Sequence, residues 1–160
     1  MLIKMTQRLS SDLLMNITST IVKFKYEDPN GLQNTSMKVI SKCRKLKHLE
    51  MAFCFVQSTG LIQLSNLQEL RVFIAAPNSL NTSFKSLTTF FKAMKNLIIV
   101  DINGASCINK EAIECLATNN KQLTQLYLNT YLLPGSVIQI VKDNCPIKIL
   151  KFSPEIMINQ

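Results

Sequence analysis

Few residues in this chain have a type and spacing that could do chemistry. Its 160 residues include one histidine, five cysteines and 10 acids against 18 lysines and arginines. His48 precedes Glu50 by two positions and Cys54 by six. An imidazole polarised by a carboxylate near a thiol would be the chemistry of a cysteine nucleophile. The alternation of an extended segment argues against that assembly. His48 and Glu50 would both face outward, while Cys54 would fall in the turn beyond. No other Ser–His–Asp or Cys–His set is suggested, and neither G-x-x-x-x-G-K-[ST] nor G-x-G-x-x-G occurs. Cys43, Cys54, Cys107, Cys115 and Cys145 contain no C-x-x-C pair, so they read as small buried hydrophobes and not as a zinc site. The expectation is a protein that is not an enzyme and carries no metal or cofactor.

The remaining chemistry is charge, formally +8 over the chain. Lys38, Lys42, Arg44, Lys45 and Lys47 fall close together with no acid between them. Such a cluster can gather phosphates from nucleic acid or a membrane surface. It can equally be the solvated C-terminal end of a helix, where cations are favoured. No aromatic residue is interleaved, so a stacking surface for single-stranded nucleic acid is unsupported.

The elements that must position these residues come from a repeated hexamer. Leu123-Thr124-Gln125-Leu126-Tyr127-Leu128 has leucine at slots 1, 4 and 6. This L-x-x-L-x-L pattern marks the inner strand of a leucine-rich repeat. Apolar variants start at Ile21, Leu46, Leu67, Leu97 and Ile147, giving spacings of 25, 21, 30, 26 and 24 residues. The sequence therefore predicts an α/β leucine-rich-repeat solenoid, a right-handed horseshoe segment of about six repeats with parallel inner strands and outer helices. One domain over 1–160 is expected, since no unit can bury its apolar face alone. Residues 1–20 read as an N-terminal capping helix, with Leu2, Met5, Leu9, Leu13 and Ile17 at helical spacing. The last repeat lacks an outer leg and reads as truncated, or as part of a longer protein.

Between the strands, Met37, Val39, Ile40 and Cys43 suggest a short returning helix. The second unit is the shortest, so its Gly60–Ser65 leg is expected to be 3₁₀ or irregular. Residues 75–83 read as a surface loop, followed by a helical stripe of Phe84, Leu87, Phe90, Phe91 and Met94 with Ser83 as N-cap. Asn109 should cap a helix burying Ile113, Leu116 and Ala117, and Pro134 should open one burying Val137, Ile138 and Val141. No apolar run reaches the roughly 18 residues that span a bilayer, and no signal-peptide core is evident. The expected location is intracellular, cytoplasmic or nuclear.

With slots 1, 4 and 6 inward, slots 3, 5 and 7 face the concave side. Slot 5 reads Lys25, Glu50, Arg71, Asp101, Tyr127 and Lys151, an alternating charge row over its first four members. Mutual compensation across an exposed sheet explains such a row. It is also a candidate protein-binding stripe, with Tyr127 and Phe73 as aromatic anchors.

The segment Asn103–Ala117, with Cys107, Ile113 and Leu116, followed by Leu123–Leu128, resembles the cysteine-containing leucine-rich repeats of F-box proteins, particularly fungal ones. Cys43 three residues before Leu46, and Cys54 in the ninth slot, extend the resemblance to nearly the whole chain. Cys107 lies two positions late for the pattern, and Ala75, Ala105 and Tyr131 replace the usual ninth-slot residue. The resemblance implies a scaffold whose concave sheet holds a protein substrate for a cullin-type ubiquitin ligase. A Skp-type adaptor is implied only if a longer native chain carries an F-box, which is not evident here. The alternative is a basic phosphate- or nucleic-acid-binding module acting through Lys38–Lys47.

Overall fold

The computed structural model describes residues 2–5, 18–27, 34–52, 55–75, 80–103, 105–129 and 135–153. Strands and helices alternate along the chain. The strands are β1 (Leu2–Met5), β2 (Lys23–Glu27), β3 (His48–Ala52), β4 (Val56–Gln57), β5 (Val72–Ala75), β6 (Leu80–Asn81), β7 (Ile99–Asp101), β8 (Gln125–Asn129) and β9 (Ile149–Ser153). The helices are α1 (Asn34–Ile40), α2 (Ser58–Gln63), α3 (Phe84–Ala93), α4 (Lys110–Asn119) and α5 (Gly135–Asn144). Seven strands form one all-parallel sheet in the order β1-β2-β3-β5-β7-β8-β9, and β4 pairs with β6 in a second, two-stranded ribbon. Strands adjacent in the large sheet are thus successive along the chain, with β4 and β6 set aside, which makes a repeat-like α/β segment.

The repeat is most regular in the backbone. The carbonyl of Val22 accepts from the N–H groups of Lys47 and His48, and that of Lys47 from Arg71 and Val72. Arg71 accepts from Ile98 and Ile99, Ile98 from Thr124 and Gln125, and Thr124 from Lys148 and Ile149. Each unit therefore hands two N–H groups to one carbonyl of the unit before it, always at slots 2 and 3. Buried backbone groups need such partners.

That ladder corrects the third unit. Arg71 lies at slot 2, so the hexamer begins at Leu70 and not at Leu67. Phe73 pairs in register with Leu49 on one side and Val100 on the other. The unit starts become 21, 46, 70, 97, 123 and 147, and the spacings 25, 24, 27, 26 and 24. The second unit is then of ordinary length, and its outer leg has room for α2 followed by a 3₁₀ turn at Leu64–Asn66. Leu61, Leu64, Leu67 and Leu70 are all buried, three residues apart. Such spacing suits a helical turn tightening to 3₁₀ and satisfies L-x-x-L at three successive places.

Slots 1, 4 and 6 fill the core as their alternation requires. Ile21, Phe24, Tyr26, Leu46, Leu49, Met51, Leu70, Phe73, Ala75, Leu97, Val100, Ile102, Leu123, Leu126 and Leu128 are buried, and Ile147, Leu150 and Phe152 of the last unit are partly so. The helices supply the other wall. Phe73 meets Phe90 of α3 with ring centroids 4.9 Å apart, and Phe90 in turn meets Phe91. Ser83 caps α3 by accepting from the Ser86 N–H at 3.2 Å, and Asn109 caps α4 by accepting from Ala112 at 2.9 Å. In α5, Val137 and Val141 are buried and Ile138 only partly.

Three further expectations change. Leu2–Met5 is a strand in register with Lys23–Tyr26 and not the start of a capping helix. A free β2 edge offers backbone donors and acceptors that outweigh a helical stripe over so short a segment. Residues 6–17 of the expected helix lie outside the described residues. The 75–83 loop contains β6, because its backbone meets β4 of the preceding unit. There Ser58, first residue of α2, accepts from the Thr82 hydroxyl at 3.1 Å and the Ser83 N–H at 3.0 Å. Phe84 sits at the first position of α3 and is 51% exposed, so the buried stripe begins at Leu87.

Candidate functional site: the open face of the sheet

With the helices against slots 1, 4 and 6, slots 3 and 5 occupy the opposite face. Slot 3 runs Lys23, His48, Val72, Ile99, Gln125 and Ile149 across the six strands that follow β1. Slot 5 runs Lys25, Glu50, Ile74, Asp101, Tyr127 and Lys151. None of these twelve is fully buried, so the face is open to solvent. Neighbouring strands lie about 4.8 Å apart, which puts successive members of a row in lateral contact range.

Five of the seven residues read as a concave stripe are brought together in one row: Lys25, Glu50, Asp101, Tyr127 and Lys151. Two are not. Arg71 is exposed at slot 2, beyond the start of β5, and Phe73 is fully buried at slot 4. The alternating charge row is therefore broken by Ile74. Val72, Ile74 and Ile99 were the residues missed. The clue lay in Val72-Phe73-Ile74-Ala75, whose strand character places the aromatic residue on one face and two β-branched residues on the other.

The face divides into two halves. In the first, Lys25 Nζ lies 2.6 Å from Glu50 and 3.1 Å from Glu27. The Glu50 carboxylate beside it holds the Lys25 ammonium above its ordinary range, with Glu27 adding to the effect. Burial pushes the Glu50 carboxyl up, but Lys25 and His48 together outweigh it and leave the group below its usual value. His48 Nε2 stands 3.7 Å from Glu50, too far for a hydrogen bond. Burial and the nearby Lys23 push the imidazole below its ordinary value, which favours the neutral ring at physiological pH. Cys54, the thiol of the pairing weighed from the sequence, lies outside the described residues.

In the second half, Val72, Ile74, Ile99 and Tyr127 form an apolar surface around Asp101. Burial raises the Asp101 carboxyl above the usual carboxylate range, against the lowering effect of a 3.1 Å hydrogen bond from the Asn103 N–H to Oδ1. Lys151 Nζ lies 5.9 Å from the Tyr127 ring centroid, a cation–π contact, and the Tyr127 hydroxyl donates to Gln125 Oε1 at 3.3 Å.

The basic cluster sits elsewhere, at the end of α1 and in the turn after it. Lys38, Lys42, Arg44 and Lys45 are exposed, and Lys47 reaches Glu69 at 3.9 Å. Cys43 in the same turn is buried, and its thiol is pushed up to about 11 by burial. Cys107, Cys115 and Cys145 are free thiols, each raised by burial as well. Among the described residues no group of three or more His, Cys, Asp or Glu could hold a metal ion, and no helix is long and apolar enough to cross a membrane. Compared with protein-family models and with curated proteins, the chain matches none of either.

Proposed function

We propose that the chain is a protein-interaction scaffold: a right-handed leucine-rich-repeat segment that receives a partner protein on the open face of its sheet. The observation that carries this reading is the apolar group of Val72, Ile74 and Ile99 on neighbouring strands of the open face, with Tyr127 across Asp101 from Ile74. Apolar side chains left together on an exposed sheet mark contact sites, and tyrosine is enriched where binding energy concentrates. Unit spacings of 24 to 27 residues and the recurring two-to-one backbone ladder support the repeat assignment. The resemblance to F-box repeats makes a ubiquitin-ligase substrate the first class of partner to seek.

The test is affinity capture from an extract of the source cells with the wild type and an Ile74→Asp/Ile99→Asp variant. Proteins held by the wild type should be lost from the variant, whose circular dichroism should be unchanged because both positions face solvent. Equal capture by a folded variant would remove the open face from the binding surface. Retention of a Skp-type adaptor by the native polypeptide bears on the ligase alone. Without it, the scaffold reading stands and the ligase is dropped.

One observation favours a second reading. Lys38, Lys42, Arg44 and Lys45 are exposed and have no ion-pair partner among the described residues. Phosphate or nucleic-acid binding there would weaken steeply as salt rises. Salt-independent binding would exclude it.

A further inference from the structure

Resting on the protein-docking reading, we infer that the open face selects a partner segment presenting one lysine or arginine flanked by apolar side chains, with the cation seated on Asp101. Among the described residues three acids lie on this face, and two of them are already paired: Glu27 and Glu50 share Lys25. Asp101 is the third and makes no ion pair among the described residues. Its Oδ1 accepts from the Asn103 N–H, and among the described residues Oδ2 has no hydrogen-bond donor.

The carboxylate sits in an apolar frame. Ile74 and Tyr127 are its register neighbours on β5 and β8, Ile99 lies two residues earlier on its own strand, and Val72 adjoins Ile99. A carboxylate partly removed from water without a counter-ion costs free energy. An incoming cation relieves that cost, and the apolar frame suits the stem of the side chain that carries it. An acidic or wholly apolar segment would leave Asp101 uncompensated and be rejected.

The experiment is selection of a phage-displayed random peptide library on the wild-type protein. Peptides that lose binding to Ile74→Ser/Tyr127→Ala define the open face. Those peptides are expected to share one Lys or Arg between apolar residues. For a selected peptide made synthetically, replacing that lysine by norleucine, or that arginine by citrulline, should weaken binding about 10-fold or more, as should Asp101→Asn. Combining the peptide change with Asp101→Asn should add little, since both delete one contact. Asp101→Asn keeps the acceptor for Asn103, so its denaturation midpoint should equal or exceed the wild type's. Open-face peptides without a basic preference, or indifferent to its removal, would overturn the inference and leave the docking reading intact. No open-face peptides at all would overturn both.

Discussion

Phe73→Ala is expected to lower the unfolding free energy by about 3–5 kcal/mol, the range for truncating a large buried aromatic residue. Arg71→Ala should change it by no more than about 0.5 kcal/mol, as for other exposed positions. Phe73 is fully buried at slot 4, between Leu49 and Val100 in register, and its ring packs 4.9 Å from that of Phe90. The truncation removes sheet-to-helix packing at the middle of the molecule, where little can collapse into the space. Arg71 contributes a backbone carbonyl to the ladder, and alanine keeps it. The pair separates two registers of the third unit. With the hexamer at Leu67, Phe73 would face solvent at slot 7 and its loss would be mild. Urea denaturation of both variants decides between them, and a near-neutral Phe73→Ala would refute the Leu70 register.

The same residues show what the sequence could reveal. Parallel strands with alternating inward slots, the caps Ser83 and Asn109, and the buried faces of α4 and of α3 from Leu87 onward follow from local patterns that no alternative disturbs. Where one L-x-x-L fits, as at Leu123–Leu126, the register is unambiguous, and Asp101, Tyr127 and Lys151 fall on the open face as read. Leu61, Leu64, Leu67 and Leu70 allow several fits, and local pattern cannot choose between them. The choice is made by the backbone ladder from Lys47 to Arg71 to Ile98, a contact between units distant in sequence. An error of three residues is enough to exchange Ile74 for Arg71 in the row and to hide the apolar half of the candidate site. Residues 2–5 failed for a related reason: strand pairing with Lys23–Tyr26 is a tertiary gain that a helical stripe does not disclose.

Asn120→Ala is expected to cost about 2–4 kcal/mol, although the residue lies on neither face of the sheet. Asn120 is fully buried and follows α4 as its C-cap. Its Oδ1 accepts from the Leu97 N–H at 2.9 Å, at the start of its own unit, and its Nδ2 donates to the Leu116 carbonyl at 2.9 Å. Its backbone carbonyl accepts from the Leu123 N–H at 3.0 Å and from the Cys145 thiol of the following unit at 3.5 Å. The side chain thus ties the start of its unit to the end of α4, and the peptide group joins that unit to the next. Alanine leaves the Leu116 carbonyl its bond from the Asn120 N–H, so the loss concentrates on Leu97, whose buried N–H is orphaned. An unsatisfied buried donor costs about 1–3 kcal/mol, and the void adds roughly another 1. Asn120→Asp separates the polar contribution from the void. It keeps the acceptor for Leu97 but sets a carboxylate oxygen against the Leu116 carbonyl. Burial would raise that carboxyl's pKa in the folded state, so the native protein would hold its proton longer than the unfolded chain. Stability of this variant should therefore fall as pH rises through the carboxylate range and recover on acidification. Denaturant melts across that range, with amide exchange at Leu97, test both effects. An alanine variant within about 0.5 kcal/mol of wild type, or a pH-independent aspartate variant, would show that the side-chain hydrogen bonds of Asn120 contribute little to stability.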